Sequence, residues 1–340
     1  MVEIDPILAN DWYIVSQAKD IQPGNIKPLR LLGQEIVIWR GNSPESPVVA
    51  CQDWCPHRGV ALSLGKIVGD HLTCRYHGWQ YNQQGKCANI PSLTTQPPPL
   101  NACVKTYQCQ ESQGYIWVSL GNPVQDVSSF PEWDNPDYRL FISNPYHVKT
   151  SPFRVIDNNL DQSHVPFLHE GSIGHPDYPI IENYEVTTEK DSITVHNINA
   201  WQLDGSYFNN SKTVRKITIS SIKVARPLSL KVVKEIDNGA KIMHWFINVT
   251  PIDEESCLMW ISLAMNYGYE ITESEMQTST DNVICEDLLM LESHRPARLP
   301  LLPRQGTDTE WPPEVHVPCD RASIAYRRWL NDLGITFGVC

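Results

Sequence analysis

Cys55-Pro56-His57 is followed, sixteen residues on, by Cys74-Arg75-Tyr76-His77. Each short segment holds one cysteine and one histidine, which suggests two loops pinching a metal centre between them. Two thiolates and two imidazoles suit tetrahedral zinc. They equally suit a [2Fe–2S] cluster with both cysteines on one iron and both histidines on the other. Zinc fingers usually segregate the two residue types, whereas each loop here supplies one of each, and that favours the cluster. Gly59 and Gly78 follow the histidines, and their missing Cβ atoms would let the loops approach closely.

A second constellation lies downstream. Asp157-Asn158-Asn159-Leu160-Asp161-Gln162-Ser163-His164 runs on to His169. On a regular helix Asp161 and His164 share a face, while His169 lies about 140° away. Pro166 removes a backbone donor between the histidines and would bend the helix, turning both imidazoles towards one ion. Two histidines and one carboxylate leave open positions on Fe(II) for dioxygen and substrate, so a third ligand is required. Asp287 is the candidate. Thr280, Val283, Ile284, Met290, Leu291 and His294 fall within about 60° of it at 100° per residue, which places a carboxylate inside an apolar stripe. A buried carboxylate needs a cation or a strong hydrogen-bond donor. The alternative is an ion pair with Arg295 or Arg298. Glu286, at the edge of the stripe, reads as a solvated charge, and His294 as a packed core histidine.

The elements that must carry these residues fall into two kinds. The first 120 residues read as short strands at Trp12 to Val15, Ile36 to Trp39, Val48 to Cys51 and Tyr115 to Leu120, broken by Pro-Gly and Gly-Asn turns. A proline-spaced linker leads to a second half with a helical stretch from Ile156 to Leu168. Leu230 to Ile236 and Met243 to Thr250 flank Asp237-Asn238-Gly239, a hairpin signal, and Cys257 to Met265 reads as the next strand. From Thr272 to His294 the period is helical. The fold class is α+β: an all-β domain at 1–145, then a domain at 146–340 built from an antiparallel sheet and a long helix.

Among 340 residues, 39 acidic against 27 basic side chains give a formal charge of −12, and a nucleic-acid binder would show the opposite sign. No apolar window approaches a membrane span, and the first residues lack a signal peptide's basic and apolar regions. The chain is expected to be cytoplasmic, without nucleic-acid or membrane partners. Between Cys55 and Ile90, Arg58, Lys66, Arg75 and Lys86 against Asp70 make a local positive excess, suited to an acidic electron donor.

CPHRG and CRYHGWQY resemble the motif of the Rieske non-haem iron oxygenases, α-subunits of the ring-hydroxylating type. High-potential Rieske proteins carry an extra cysteine in each loop for a disulfide. Here Cys51 lies upstream and Cys87 well downstream, so that bridge is missing. Asp161-x-x-His164-x-x-x-x-His169, with Asp287 in ICEDLLMLE, resembles the mononuclear iron site of the same family, and Asn158 holds the family's asparagine position. The resemblance implies a Rieske [2Fe–2S] domain on Cys55, His57, Cys74 and His77. A helix-grip catalytic domain would hold Fe(II) on His164, His169 and Asp287. It further implies O2 and a small-molecule substrate as co-reactants. NAD(P)H electrons would come through a separate ferredoxin or ferredoxin-reductase-type donor, and the assembly would be a homotrimer. In that trimer His77 of one chain would hydrogen-bond to Asp161 of the next, giving Asp161 and Asn158 catalytic roles.

The tail from His316 to Leu330 and the terminal GITFGVC, with SPFRVIDNNLDQSH, resemble the cyanobacterial Rieske hydroxylases of the saxitoxin pathway. This implies monohydroxylation of a C–H bond on a polycyclic guanidinium alkaloid. The segments around Trp201 to Asn210 and Met243 to Trp260 would then line the pocket, with Asp204, Tyr207, Trp201 and Trp245 facing a cation. The alternatives are O- or N-demethylation, aromatic dihydroxylation and, more remotely, an electron carrier without catalysis.

Overall fold

The computed structural model describes residues 4–93, 95–203, 213–302 and 314–340. The chain divides into two compact units, Met1–Ser129 and Phe130–Cys340. The division falls before the boundary at 145 expected from the linker's prolines. Two short strands in that stretch, Arg139–Ile142 and Tyr146–Val148, pair with a strand of the second unit and are held there.

Among the described residues the first unit is built from strands, apart from the short α1 (Pro6–Ala9) and two single 3-10 turns. Its larger sheet comprises β1 (Tyr13–Gln17), β2 (Ile26–Leu31), β3 (Gln34–Arg40), β4 (Val48–Gln52), β9 (Thr106–Ser112) and β10 (Tyr115–Ser119), in the order β1-β10-β9-β4-β3-β2. A smaller sheet runs in sequence through β5 (Lys66–Val68), β6 (His71–Thr73), β7 (Gln80–Tyr81) and β8 (Cys87–Asn89). Val37, Trp39 and Val49 of the larger sheet and Leu72 and Tyr81 of the smaller share one buried cluster with Cys55 and Cys74. The cysteines are thus fixed by a hydrophobic core, while their histidines lie nearer the solvent.

The second unit carries an antiparallel sheet of β11 (Arg139–Ile142), β12 (Tyr146–Val148), β13 (Glu185–Thr188), β14 (Ile193–Leu203), β15 (Val214–Arg226), β16 (Ser229–Ile236), β17 (Lys241–Asp253) and β18 (Ser256–Met265). The β16–β17 hairpin turns where the sequence placed it, with Asp237, Asn238 and Gly239 all at positive φ. Burial on β14 partly alternates, as on a strand with one wet face, whereas β17 and β18 are buried almost continuously and are therefore covered on both faces.

Among the described residues four α-helices complete this unit: α2 (Pro152–Leu160), α3 (Val165–Leu168), α4 (Glu273–Leu291) and α5 (Arg321–Asp332). The long helix α4 starts at a capping box, in which Thr272 and Glu275 satisfy each other's backbone donors. Its buried stripe is Met276, Thr280, Val283, Ile284, Asp287 and Leu291, close to the expected one, although Met290 is exposed. Tyr146 on β12 donates to Asp281 of α4 at 2.7 Å and so ties the helix to the sheet. Among the described residues no helix is long and apolar enough to cross a membrane.

Candidate metal centres

The two cysteine–histidine loops have the same backbone. The Cys55 N–H donates to the Val60 carbonyl and the Gly59 N–H to the Cys55 carbonyl; the Cys74 N–H donates to Trp79 and the Gly78 N–H to Cys74, all at 2.8–3.0 Å. Gly59 and Gly78 sit at φ +69° and +71°, the left-handed region that only glycine enters cheaply. This corrects the expectation of close approach at Gly59, because a Cβ there would meet nothing within 4 Å. It is the turn, not the neighbouring loop, that demands glycine at this position. Asp53 anchors the first loop from outside, accepting from the Ser63 N–H at 2.7 Å and the Ser63 hydroxyl at 2.6 Å.

The loops bring the His57 and His77 rings to 4.5 Å between centroids, and Trp79 stacks on His57 at 4.4 Å. His57 Nδ1 is buried without a hydrogen-bond partner. An orphaned imidazole nitrogen, a second imidazole beside it and two buried cysteines fit an iron–sulfur cluster with two sulfur and two nitrogen donors. Burial pushes the Cys55 thiol up, and the Tyr81 hydroxyl at 3.1 Å from its sulfur opposes that push. All ten cysteines are free, including Cys51 and Cys87, so no disulfide braces the loops.

In the second unit one bent helix was expected over Ile156 to Leu168, and two are present. Asp161 ends α2 in an extended conformation, and His164 caps the N-terminus of α3. Pro166 sits in the first turn of α3, where its missing N–H costs nothing, so it starts a helix instead of bending one. His169 closes α3, and the turn after it folds back under the helix. At Gly174 a Cβ would lie 1.9 Å from the Val165 carbonyl oxygen, so only glycine allows that return.

Through this break the imidazoles converge. His164 Nε2 lies 3.6 Å and His169 Nε2 3.4 Å from the same oxygen, Oδ1 of Asp287. Ligand atoms of all three residues fall within 4.8 Å of one another. Behind each ring stands a carboxylate: Asp161 Oδ2 at 3.4 Å from His164 Nδ1, and Glu286 Oε2 at 2.7 Å from His169 Nδ1. A carboxylate at Nδ1 fixes a proton there and leaves Nε2 as a lone pair aimed at Asp287, the arrangement a metal ligand requires. The donor set fits a ferrous ion. Burial opposes ionisation of Asp161, but hydrogen bonds from His164 and Ser163 outweigh it and hold the carboxyl below its usual value. For His169 burial works against the proton, yet Asp287 and Glu286 together hold the imidazole above its ordinary value.

The alternative for Asp287, an ion pair with Arg295 or Arg298, is not formed. Arg298 pairs with Glu254 and Glu255, Arg295 donates to backbone carbonyls, and Asn158 donates to Asp287 Oδ1 at 3.4 Å. His294 contacts the Leu291 carbonyl and not the site, in line with a core histidine. Glu286 is the correction: read as a solvated charge, it is the partner of His169 and also accepts from the Ser172 hydroxyl at 3.1 Å. The contact spans 117 positions, and no periodicity reports it. A partly buried network also fixes α2: Arg327 of α5 donates to Asp157 at 2.7 Å and to Glu314 at 2.6 Å, and Glu314 accepts from Arg154 at 2.9 Å.

His164, His169 and Asp287 border a cavity of about 100 Å³, whose other walls include Ile219, Val232, Trp245 and Ile247. Trp245 thus stands where the sequence placed it. Trp201 is 40% exposed and stacks on Tyr178, so it is not a wall residue. Asp204 and Tyr207 lie outside the described residues. Among the polar wall residues, Gln202 of β14 lies in a segment the sequence assigned to the pocket, whereas Lys234 of β16 had no signal in the sequence.

Residues 11–108 match the Rieske [2Fe-2S] domain and residues 148–334 the vanillate O-demethylase oxygenase C-terminal domain. Methylxanthine N1-demethylase NdmA of Pseudomonas putida is 26% identical over 96% of this chain and 89% of its own length. The vanillate O-demethylase oxygenase subunit of Pseudomonas sp. (strain HR199 / DSM 7063) is 28% identical over 84% of this chain and 85% of its own. The structure of P. putida CBB5 NdmA with caffeine superposes with a TM-score of 0.79 at 23% identity, covering 96% of this chain and 90% of that one. Dicamba monooxygenase bound to dicamba superposes at 0.77 and 19% identity, over 96% and 97% of the two chains. With one family covering the cluster loops and the other the histidine–aspartate cavity, the chain belongs to the Rieske non-haem iron oxygenases of the vanillate O-demethylase type, which use a [2Fe–2S] cluster, a mononuclear Fe(II) and electrons supplied from outside.

Proposed function

We propose that this oxygenase monohydroxylates a C–H bond of a small molecule, and that the carbon attacked is a methyl group on nitrogen or oxygen. The observation that carries the reading is the convergence of His164, His169 and Asp287 at the wall of an otherwise largely apolar cavity. His164, His169 and Asp287 would hold Fe(II), and Cys55, His57, Cys74 and His77 the cluster. The bound iron supplies the site of dioxygen activation. Asp161 and Glu286 keep the protons of His164 and His169 on Nδ1, and Asn158 orients the Asp287 carboxylate through its 3.4 Å hydrogen bond. Ile219, Val232, Ile247, Val283 and Ile284 line the cavity with hydrocarbon and limit the water that would divert the oxidant.

Hydroxylation at a heteroatom-bound methyl balances as R–OCH3 + O2 + 2e⁻ + 2H⁺ → R–OH + CH2O + H2O. The hydroxymethyl product is a hemiacetal or hemiaminal, which loses formaldehyde without further help. Demethylation and C–H hydroxylation are therefore one reaction that differs in the atom bonded to the struck carbon. The demethylases among the relatives support the methyl target. The guanidinium-alkaloid substrate suggested by the tail finds no counterpart among them.

The electron donor would dock on the cluster loops, where Arg58, Lys66, Arg75 and Lys86 are all exposed. Asp70 stays ionised among them, its carboxylate engaged by Ser43 and Ser46 and held down at about 2, so four basic groups against one acid leave the local excess positive. A homotrimer fits the same reading: Asp161 keeps 32% of its side chain exposed, which leaves room for His77 of a neighbouring chain to share it.

The test is a mass-spectrometric assay of iron-loaded protein with a surrogate reductase and ¹⁸O2, on aryl methyl ethers, N-methyl heterocycles and guanidinium alkaloids. Stoichiometric formaldehyde with loss of the methyl group is expected. Retention of ¹⁸O on an intact alkaloid skeleton would instead establish the saxitoxin-type hydroxylation, and two ¹⁸O atoms on an arene a dioxygenase.

A further inference from the structure

Arg327 of α5 is only 4% exposed, yet it is not a cavity wall residue and the reaction above gives it no task. Its guanidinium forks. One nitrogen donates to Asp157 Oδ2 at 2.7 Å, the other to Glu314 Oε2 at 2.6 Å and to the Pro300 carbonyl at 3.1 Å. Arg154, 3% exposed and three residues before Asp157 on α2, donates to the same Glu314 and to the Pro296 carbonyl. Two guanidiniums and two carboxylates balance in charge, so the cluster calls for no ligand. Desolvation opposes burying such groups, and well-packed apolar residues often hold a fold as well or better. What a forked guanidinium adds is direction, because its planar donors accept one arrangement of their partners.

That direction is read on α2. Asp157, Asn158 and Asn159 are successive polar residues, and each step turns the helix by about 100°. Only one of them can face Asp287 of α4. Asn158 does so, and its amide donates to Oδ1, the oxygen nearest Nε2 of both His164 and His169. Asp157 in that place would set two carboxylates together, and the Asn159 amide is already engaged by the Val155 carbonyl at 2.8 Å. The Asn158 bond is 3.4 Å long, close to the limit for a hydrogen bond, so a small rotation of α2 breaks it.

We propose that Arg327 is a positioning residue for the iron site: by holding Asp157 on the α5 side it fixes the rotation of α2 that keeps Asn158 bonded to Asp287. The assignment deepens the oxygenase reading and rests on it. Arg327 touches no reacting atom and acts only through Asp157 and Asn158.

The test is a double-mutant cycle read by anaerobic Fe(II) titration of protein that holds the cluster but no mononuclear iron, with melting temperatures measured alongside. Arg327→Lys keeps the charge, but a point donor on a flexible stem cannot grip Asp157 and Glu314 together. It is expected to weaken Fe(II) binding about ten-fold while Asn158 is present. In an Asn158→Ala background, where the bond to be positioned is already gone, the same change should cost less than about two-fold. Equal losses in both backgrounds would make Arg327 a general support of the fold and overturn the proposal, as would wild-type affinity in Arg327→Lys or in Asn158→Ala. Should Arg327→Lys not fold, Asp157→Asn, which keeps the shape of the acceptor, passes through the same cycle under the same criteria. Wild type that takes up no iron besides the cluster's refutes the oxygenase reading itself, an outcome distinct from a bound iron indifferent to Arg327.

Discussion

Replacing the pair Lys234 and Gln202 by apolar side chains, Lys234→Met with Gln202→Leu, is expected to stabilise the protein. Lys234 has an ordinary value of 10.5, and burial pushes it down to about 8. At about 1.4 kcal/mol per unit, keeping the ammonium charged inside the fold costs on the order of 3 kcal/mol. The sign follows from proton binding. Between about pH 8 and 10.5 the unfolded chain holds more protons at this site than the folded one, so stability rises with pH across that window. Below pH 8 both states are charged and the whole penalty applies; above 10.5 both are neutral and it is gone.

Lys234→Met alone would leave Gln202 Oε1 buried without its donor, a loss of about 1–3 kcal/mol that largely cancels the gain. The double variant removes both polar groups and keeps the benefit. For a unit running from Phe130 to Cys340, roughly 3 kcal/mol corresponds to a melting temperature higher by about 6–12 °C. Thermal unfolding followed by tryptophan fluorescence at pH 7 and pH 10 reads both effects. The gap between double variant and wild type should be widest at pH 7 and shrink by pH 10. If the double variant melts at or below wild type at pH 7, Lys234 is a structural residue that stabilises the fold and the reasoning fails.

Two further outcomes follow from the metal sites. Glu286→Ala removes the 2.7 Å partner of His169 and should weaken Fe(II) binding about 10- to 100-fold, as loss of a carboxylate behind a metal-binding histidine does; anaerobic titration of the apo-protein measures it, and affinity within two-fold of wild type would remove Glu286 from the site. Tyr81→Phe deletes the hydrogen bond to the Cys55 sulfur and should lower the potential of the [2Fe–2S] cluster by about 50 mV, the one-electron equivalent of a bond worth roughly 1 kcal/mol. A redox titration followed by electron paramagnetic resonance that finds no change would show that the bond is not made to the cluster-bound sulfur.

What could be read from the sequence shares a property: it is local or periodic. The two loops are legible because a thiol, an imidazole and a left-handed glycine recur within five positions, and the loop backbone closes on itself. The hairpin at Asp237-Asn238-Gly239 and the helix to Leu291 follow turn chemistry and a 3.6-residue period. Asp287 stood out because it interrupts an apolar stripe. The break between α2 and α3 was misread, because Pro166 bends a helix or begins one according to where the chain before it stops. Asp161 stops it, in an extended conformation that no local pattern announces.

Sequence alone therefore picked out the two candidate metal-binding residue sets and most of the elements on which they ride. Tertiary structure decided what surrounds them. Glu286 is a solvated acid on an isolated helix and becomes a histidine's partner only because α4 lies against the turn after α3. Lys234 reads as one more strand lysine until the pleat of β16 turns it into the cavity, where Gln202, 32 positions away, meets it. Such contacts depend on which elements pack face to face, and packing is a property of the whole fold, set by surfaces that no single segment carries.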